Sequence, residues 1–241
     1  MRKTSILMLV ILLNAVPVKL YGQDKFGFEL GGFAGGSFWK SRNFQIGPPQ
    51  SSEPLSFEVK YDNKILGGVR ANILSRGHWG GELTYGYQKN KVTFTRQDNA
   101  IEPLSLDGSV QQFFYNEVYY FTRYGKSAVL PFVTAGLGLE AYGLSDEARA
   151  FAADPLQGNI GNLKKVDNRF AFNYGAGIKA KLSSHIGVRF DFRHVLSDVP
   201  SYGLPKESAN PAQTILPIQG KLQNYEASVG IYYRISTGLG N

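Results

Sequence analysis

Phe170 to Asp198 reads FAFNYGAGIKAKLSSHIGVRFDFRHVLSD, two runs of strict alternation joined by a short polar turn at Ser183–His185. In the first run Phe170, Phe172, Tyr174, Ala176, Ile178, Ala180 and Leu182 are apolar, while Ala171, Asn173, Gly175, Gly177, Lys179 and Lys181 are small or polar. In the second, Ile186, Val188, Phe190 and Phe192 alternate with Gly187, Arg189, Asp191 and Arg193. A period of two is the mark of a strand, because successive side chains leave opposite faces of the backbone. Each strand has one greasy face and one face of charge, glycine and amide. Runs of about twelve residues exceed the usual strand of about 5–6. They suit a transmembrane β-hairpin, whose strands need about 9–11 residues to cross a bilayer.

The same alternation recurs outward from this hairpin. Earlier strands are predicted at Phe26–Trp39, Ile65–Leu74, Trp79–Arg96, Val110–Tyr124 and Val129–Gly143, and a last one at Leu222–Ile235. The run Val110–Tyr124 separates its faces poorly, since Glu117 shares one with Phe113, Tyr115 and Tyr119. A carboxylate facing hydrocarbon is costly, so register or face is irregular there. Residues 41–63, 97–109, 144–167 and 199–220 read as loops. The connections alternate long and short, so every tight turn falls at one end and every long loop at the other, as in outer-membrane barrels. Eight strands allow the sheet to close and remove its edges, as hydrocarbon demands. The predicted fold class is all-β, an eight-stranded antiparallel up-and-down transmembrane barrel with short periplasmic turns and long outer loops.

Composition agrees. The 241 residues include 16 Phe, 14 Tyr and 28 Gly, the mixture used by curved, half-buried sheets. Residues 1–22 have a basic start at Arg2 and Lys3 and an apolar run at Ile6–Leu13, too short to span. They read as a secretory signal peptide cut before Gln23, leaving residues 23–241 as the barrel domain. The formal charge of +7 falls to +4 without Arg2, Lys3 and Lys19. It is scattered, with no basic cluster of the kind that holds nucleic acid. The chain has no cysteine, so disulfides, thiolate metal sites and a lipid-modified cysteine are excluded.

The chain resembles the OmpA-like family of small outer-membrane β-barrels. The resemblance rests on Pro131–Gly138 (PFVTAGLG), Phe172–Lys179 (FNYGAGIK) and Gly187–Arg193 (GVRFDFR), which are similar to the fifth, sixth and seventh strands of that family. It implies a location in the outer membrane, contact with outer-membrane lipids, and delivery by the barrel-assembly machinery. The C-terminus resembles the assembly signal of such barrels at Ser228, Gly230, Tyr233 and Ile235. It departs from it in having Ile235 where an aromatic is usual and Ser236–Asn241 beyond. No stretch resembles the peptidoglycan-binding domain of longer relatives, so a wall-anchoring role is not implied.

By parity Glu29, Arg70, Glu82, Glu140, Lys179, Lys181, Arg189, Asp191, Arg193, Glu226 and Arg234 point inward, five acids against six bases. An eight-stranded barrel is only wide enough to be filled by its own side chains. The expectation is therefore a lumen closed by paired charges around Arg189, Asp191 and Arg193, with Glu82, Glu140 and Glu226 as candidate partners among which the sequence does not choose. No catalytic residues, metal ligands or cofactor are expected. His78 and His185 lie in turns, and His194 and Ser197, three apart on a strand, face opposite ways. The expected function is a non-enzymatic outer-membrane barrel with a structural or surface-interaction role and an unidentified partner at the outer loops. The alternatives are a narrow porin-like channel, a lipid-modifying enzyme, or a soluble barrel with an apolar lumen.

Overall fold

The computed structural model describes residues 27–46, 55–74, 77–96, 104–123, 126–154, 162–205 and 220–236. The expected leader, its cleavage site, the tail beyond Ser236 and the prolines at 48, 49, 54, 103, 211 and 217 lie outside them. Among the described residues ten strands form one sheet: β1 (Gly27–Trp39), β2 (Arg42–Ile46), β3 (Leu55–Tyr61), β4 (Lys64–Leu74), β5 (Trp79–Arg96), β6 (Leu104–Tyr120), β7 (Val129–Leu144), β8 (Val166–Lys181), β9 (Ile186–Asp198) and β10 (Lys221–Ser236). Eight of them, β1 and β4–β10, pair antiparallel in chain order. β10 returns to β1 from Gly27↔Ser236 to Trp39↔Asn224 and closes the barrel. Closure joins the first and last strands of the wall, so the barrel itself has no open edge.

Alternation sorts the side chains as a membrane barrel requires. Ile65, Val69, Ile73, Leu83, Phe113, Val133, Leu137, Phe190 and Ile231 are exposed on the outside, whereas Arg70, Glu82, Glu140, Arg189, Asp191, Arg193, Glu226 and Arg234 on the neighbouring positions are buried within. This is the reverse of a soluble lipid carrier. At the short-turn end His78, Trp79, Tyr119 and Phe121 form an edge-to-face and stacked aromatic band.

Three expectations need correction at the long-loop end. The segment read as loop at 41–63 contains β2 and β3, and β3 pairs with the far end of β5 from Tyr61↔Val92 to Phe57↔Arg96. The segment 97–109 is strand from Leu104, because β6 follows β5 beyond the rest of the barrel to Phe94↔Leu104. Within 144–167 a helix, α1 (Asp146–Ala153), is capped by Ser145, whose hydroxyl accepts from Ala148 N at 3.1 Å. Asp146 and Glu147 in its first turn suit the helix dipole. Eight residues cannot hold a helix alone. This one is held because Ala148 and Ala152 pack into an apolar cluster with Trp39, Tyr61, Val92, Tyr142, Val199 and Tyr202. The outer connections therefore form a lid with its own core.

The irregular strand is resolved too. In β6, Gln112, Phe114, Asn116, Val118 and Tyr120 are buried inside, and Glu117 is exposed outside. Tyr115 donates its hydroxyl to the Glu117 carboxylate at 2.5 Å. Glu117 lies two residues from Tyr119 and the aromatic band, so its charge sits near the boundary rather than in mid-bilayer.

Candidate functional site

The interior is layered. At its centre three guanidinium groups share two carboxylates. Arg189 grips Asp191 in a fork, Nε to Oδ2 and Nη2 to Oδ1, both at 2.8 Å, and also meets Glu82. Arg193 reaches Glu82 at 2.6 Å and Asp191 at 3.2 Å, and Arg70 reaches Asp191 at 2.8 Å. Fork geometry is the strong form of this contact. Neutral groups fill the remaining valences: Thr84 (3.0 Å) and Asn116 (3.2 Å) donate to Glu82, and Arg70 donates to Ser228 Oγ at 3.1 Å. Phe33 and Phe132 lie flat against Arg70 and Arg189, 3.9 and 4.3 Å from ring centre to guanidinium carbon.

Glycines on β8 make this crowding possible. A Cβ at Gly177 would stand 2.4 Å from the Phe132 ring, and one at Gly175 would stand 3.0 Å from Arg193 Cγ. Towards the short turns Lys179 Nζ bonds Glu29 at 2.6 Å, both residues wholly enclosed, with Arg234 at 3.4 Å from the same carboxylate. Tyr120 and Tyr232 flank the ammonium group at 5.3 and 5.2 Å. Leu74, Val118, Tyr120, Leu130 and Phe132 make an apolar cluster at this level.

Above the centre the expected pairing is not what the structure shows. Glu226 accepts from Gln112 at 3.0 Å and Asn224 at 2.9 Å, and Glu140 accepts from the Tyr142 hydroxyl at 2.7 Å. Neither has an ion pair among the described residues. Glu226 stands opposite Arg193 in the β9–β10 register, but the Arg193 guanidinium is taken up by Glu82 and Asp191, which leaves Glu226 to neutral donors. Lys181 is a second correction: it is exposed where β8 enters its turn, beyond the lumen. Asn72, Thr84, Gln112, Asn116, Asn173, Ser197 and Asn224 are buried in the lumen as well, neutral groups that a list of formal charges passes over. They share the inward parity of the other buried residues on their strands.

Between Arg70, Gln112, Asn173, Arg193 and Glu226 lies a cavity of about 10 Å³, about the room one water needs. The lid closes over this stack. In it Asp167 accepts the backbone N–H groups of Ser201 (2.7 Å) and Tyr202 (2.8 Å) and binds Arg169. Burial, then Tyr202, pushes the Tyr61 hydroxyl well above its ordinary pKa. On the exposed helix Lys165, then Arg149, lowers the Asp146 carboxyl.

The histidines do not assemble a reactive centre. His194 is on the outside, bonded to the Tyr174 hydroxyl at 2.8 Å and stacked on Tyr225, whereas Ser197 is inside, bonded to Tyr142. His78 meets the Tyr120 carbonyl, and His185 meets the Ser184 hydroxyl in an exposed turn. Among the described residues no three His, Asp or Glu side chains cluster as metal ligands. Of the C-terminal positions, Ser228 and Gly230 face inward, and Tyr233 and Ile235 face outward and exposed, Tyr233 stacked on His185.

The profile of the family described as outer membrane protein beta-barrel domain matches residues 6–234. No curated protein sequence matches the chain. Among solved structures, the outer membrane protein OprG from Pseudomonas aeruginosa superimposes with a TM-score of 0.57 at 14% identity, over 90% of this chain and 99% of that one. The N-terminal β-barrel domain of OprF from the same organism gives 0.42 at 14% identity, over 88% and 100%. At such identity OprG supports the fold alone, an outer-membrane barrel. The chain belongs to the outer membrane protein beta-barrel domain family, and its place is the outer membrane.

Proposed function

We propose that this protein is a non-enzymatic outer-membrane barrel with a closed lumen, whose role is structural or is exercised through its outer lid. The observation that carries this reading is the continuous filling of the interior: an apolar cluster at each end and ion-paired arginines between. Loops on a rigid scaffold commonly carry recognition, and the lid has a packed core able to hold a surface in one shape. The test is electrical. The purified barrel in a planar bilayer is expected to give little or no steady conductance. Large, stable single-channel currents would replace this reading with a porin-like one.

Residues 1–22 act in this reading as the cleaved leader, and Ser228, Gly230, Tyr233 and Ile235 as the signal met by the barrel-assembly machinery. Tyr233 and Ile235 face outward at the end of the strand that closes the barrel, so a folding factor can reach them before closure. Tyr233→Ala or Ile235→Asp is expected to lower the amount of heat-modifiable barrel in the membrane fraction far more than deletion of residues 236–241. Equal losses would move the signal into the tail.

A further inference from the structure

Most of the lipid-facing belt is bulky, but across β8, β9, β10 and β1 it is recessed. Ala176, Ala227 and Ala34 form the floor of a groove of about 500 Å³ walled by Ile178, Phe190, Phe192 and Val229. The register explains its course. Ala34 pairs with Val229, Val229 with Phe190, and Phe190 with Ile178, while Ala227 pairs with Phe192 and Phe192 with Ala176. Four strands spaced about 4.8 Å apart carry it over roughly 14 Å. Its floor is pinned from behind, because Arg70 ties inward-facing Asp191 and Ser228 together across β9 and β10. The recess is thus preformed.

Its height identifies what fills it. On β10 the outward residues run from Tyr233 at the periplasmic end through Ile231, Val229 and Ala227 to Tyr225. The groove lies in the outer half of that span. One step further out, His194 stacks on Tyr225 and bonds the Tyr174 hydroxyl, an aromatic and polar ledge of the kind that sits at headgroup level. The medium against the groove is hydrocarbon, its walls are apolar, and its open end meets polar rings. We propose that it holds one acyl chain of an outer-leaflet lipid as a resident ligand, the lipid's polar head resting at Tyr174, His194 and Tyr225.

Native mass spectrometry of the detergent-extracted, full-length protein, repeated after addition of dioleoyl phosphatidylethanolamine, tests this. One lipid per chain is expected to survive activation that strips the others. Ala176→Phe with Ala227→Phe fills the floor from the lipid side and is expected to lower that retained fraction about tenfold, the effect of excluding about two methylene groups. Ala135→Phe, on the lipid face of β7, is expected to leave it unchanged. A heat-modifiable band from each variant shows that the barrel has formed. A wild-type chain stripped bare, or equal retention by the filled variant, overturns the proposal. So does a wild-type dimer that the double substitution turns into monomers, since a second copy would then occupy the groove.

Discussion

Asp191→Ala is expected to destabilise the barrel by about 3–5 kcal/mol, the usual effect of removing one member of a buried ion pair. The carboxylate takes a fork from Arg189 and single contacts from Arg193 and Arg70. Its loss leaves Arg189 and Arg193 to share Glu82, and Arg70 keeps only Ser228 and the Phe33 ring of the partners described above. The measurement is the urea midpoint for unfolding in detergent, followed by the heat-modified shift on gels. Asp146→Ala is the control. Asp146 is exposed on α1, and its depressed pKa means that its contacts with Lys165 and Arg149 persist above the ordinary aspartate pKa and fade as pH falls through the lowered one. That contribution stays within the lid, so the midpoint should not move. Matching midpoints for the two variants would show that packing, not ion pairing, holds the interior.

What was legible in the sequence follows from what a strand's period of two can carry. Parity places Glu29, Arg70, Glu82, Asp191 and Arg193 inside and Val133, Leu137 and Phe190 outside without reference to any partner, since each assignment depends only on the residue's own strand. Partner choice does not work that way. Arg193 stands beside Glu226 on the adjacent strand yet reaches across the lumen to Glu82, and which strands face one another across the lumen is a property of the closed ring. Of the three candidate carboxylates only Glu82 takes cations among the described residues, and Glu140 and Glu226 stand instead among Tyr142, Gln112 and Asn224. Lys181 fails differently: parity says which way a side chain points but not where the barrel ends. The lid was hidden because its pieces are individually weak. β2, β3 and α1 have five, seven and eight residues and are held by tertiary contacts, β3 by the overhang of β5 and α1 by two buried alanines.

The most enclosed pair offers a sharper division of effects. Glu29 and Lys179 are both at zero exposure, 2.6 Å apart, so neither charge can turn to water if the other is removed. Glu29→Ala alone should cost about 3–5 kcal/mol. It leaves the ammonium group between the rings of Tyr120 and Tyr232, which attract it but cannot neutralise it. Glu29→Met combined with Lys179→Met removes both charges and retains most of the volume, an exchange that is often neutral or stabilising in buried pairs. Arg234 also loses a contact in both variants, but it lies nearer the open end and is 9% exposed, so water can take part of that role. The double variant is therefore expected to unfold at a higher urea concentration than Glu29→Ala, with a coupling between the sites of about 2–3 kcal/mol. If the double variant is instead the weaker of the two, the pair contributes directly to stability rather than merely tolerating burial, and the charges at this end of the lumen are more than a filling matched to its shape.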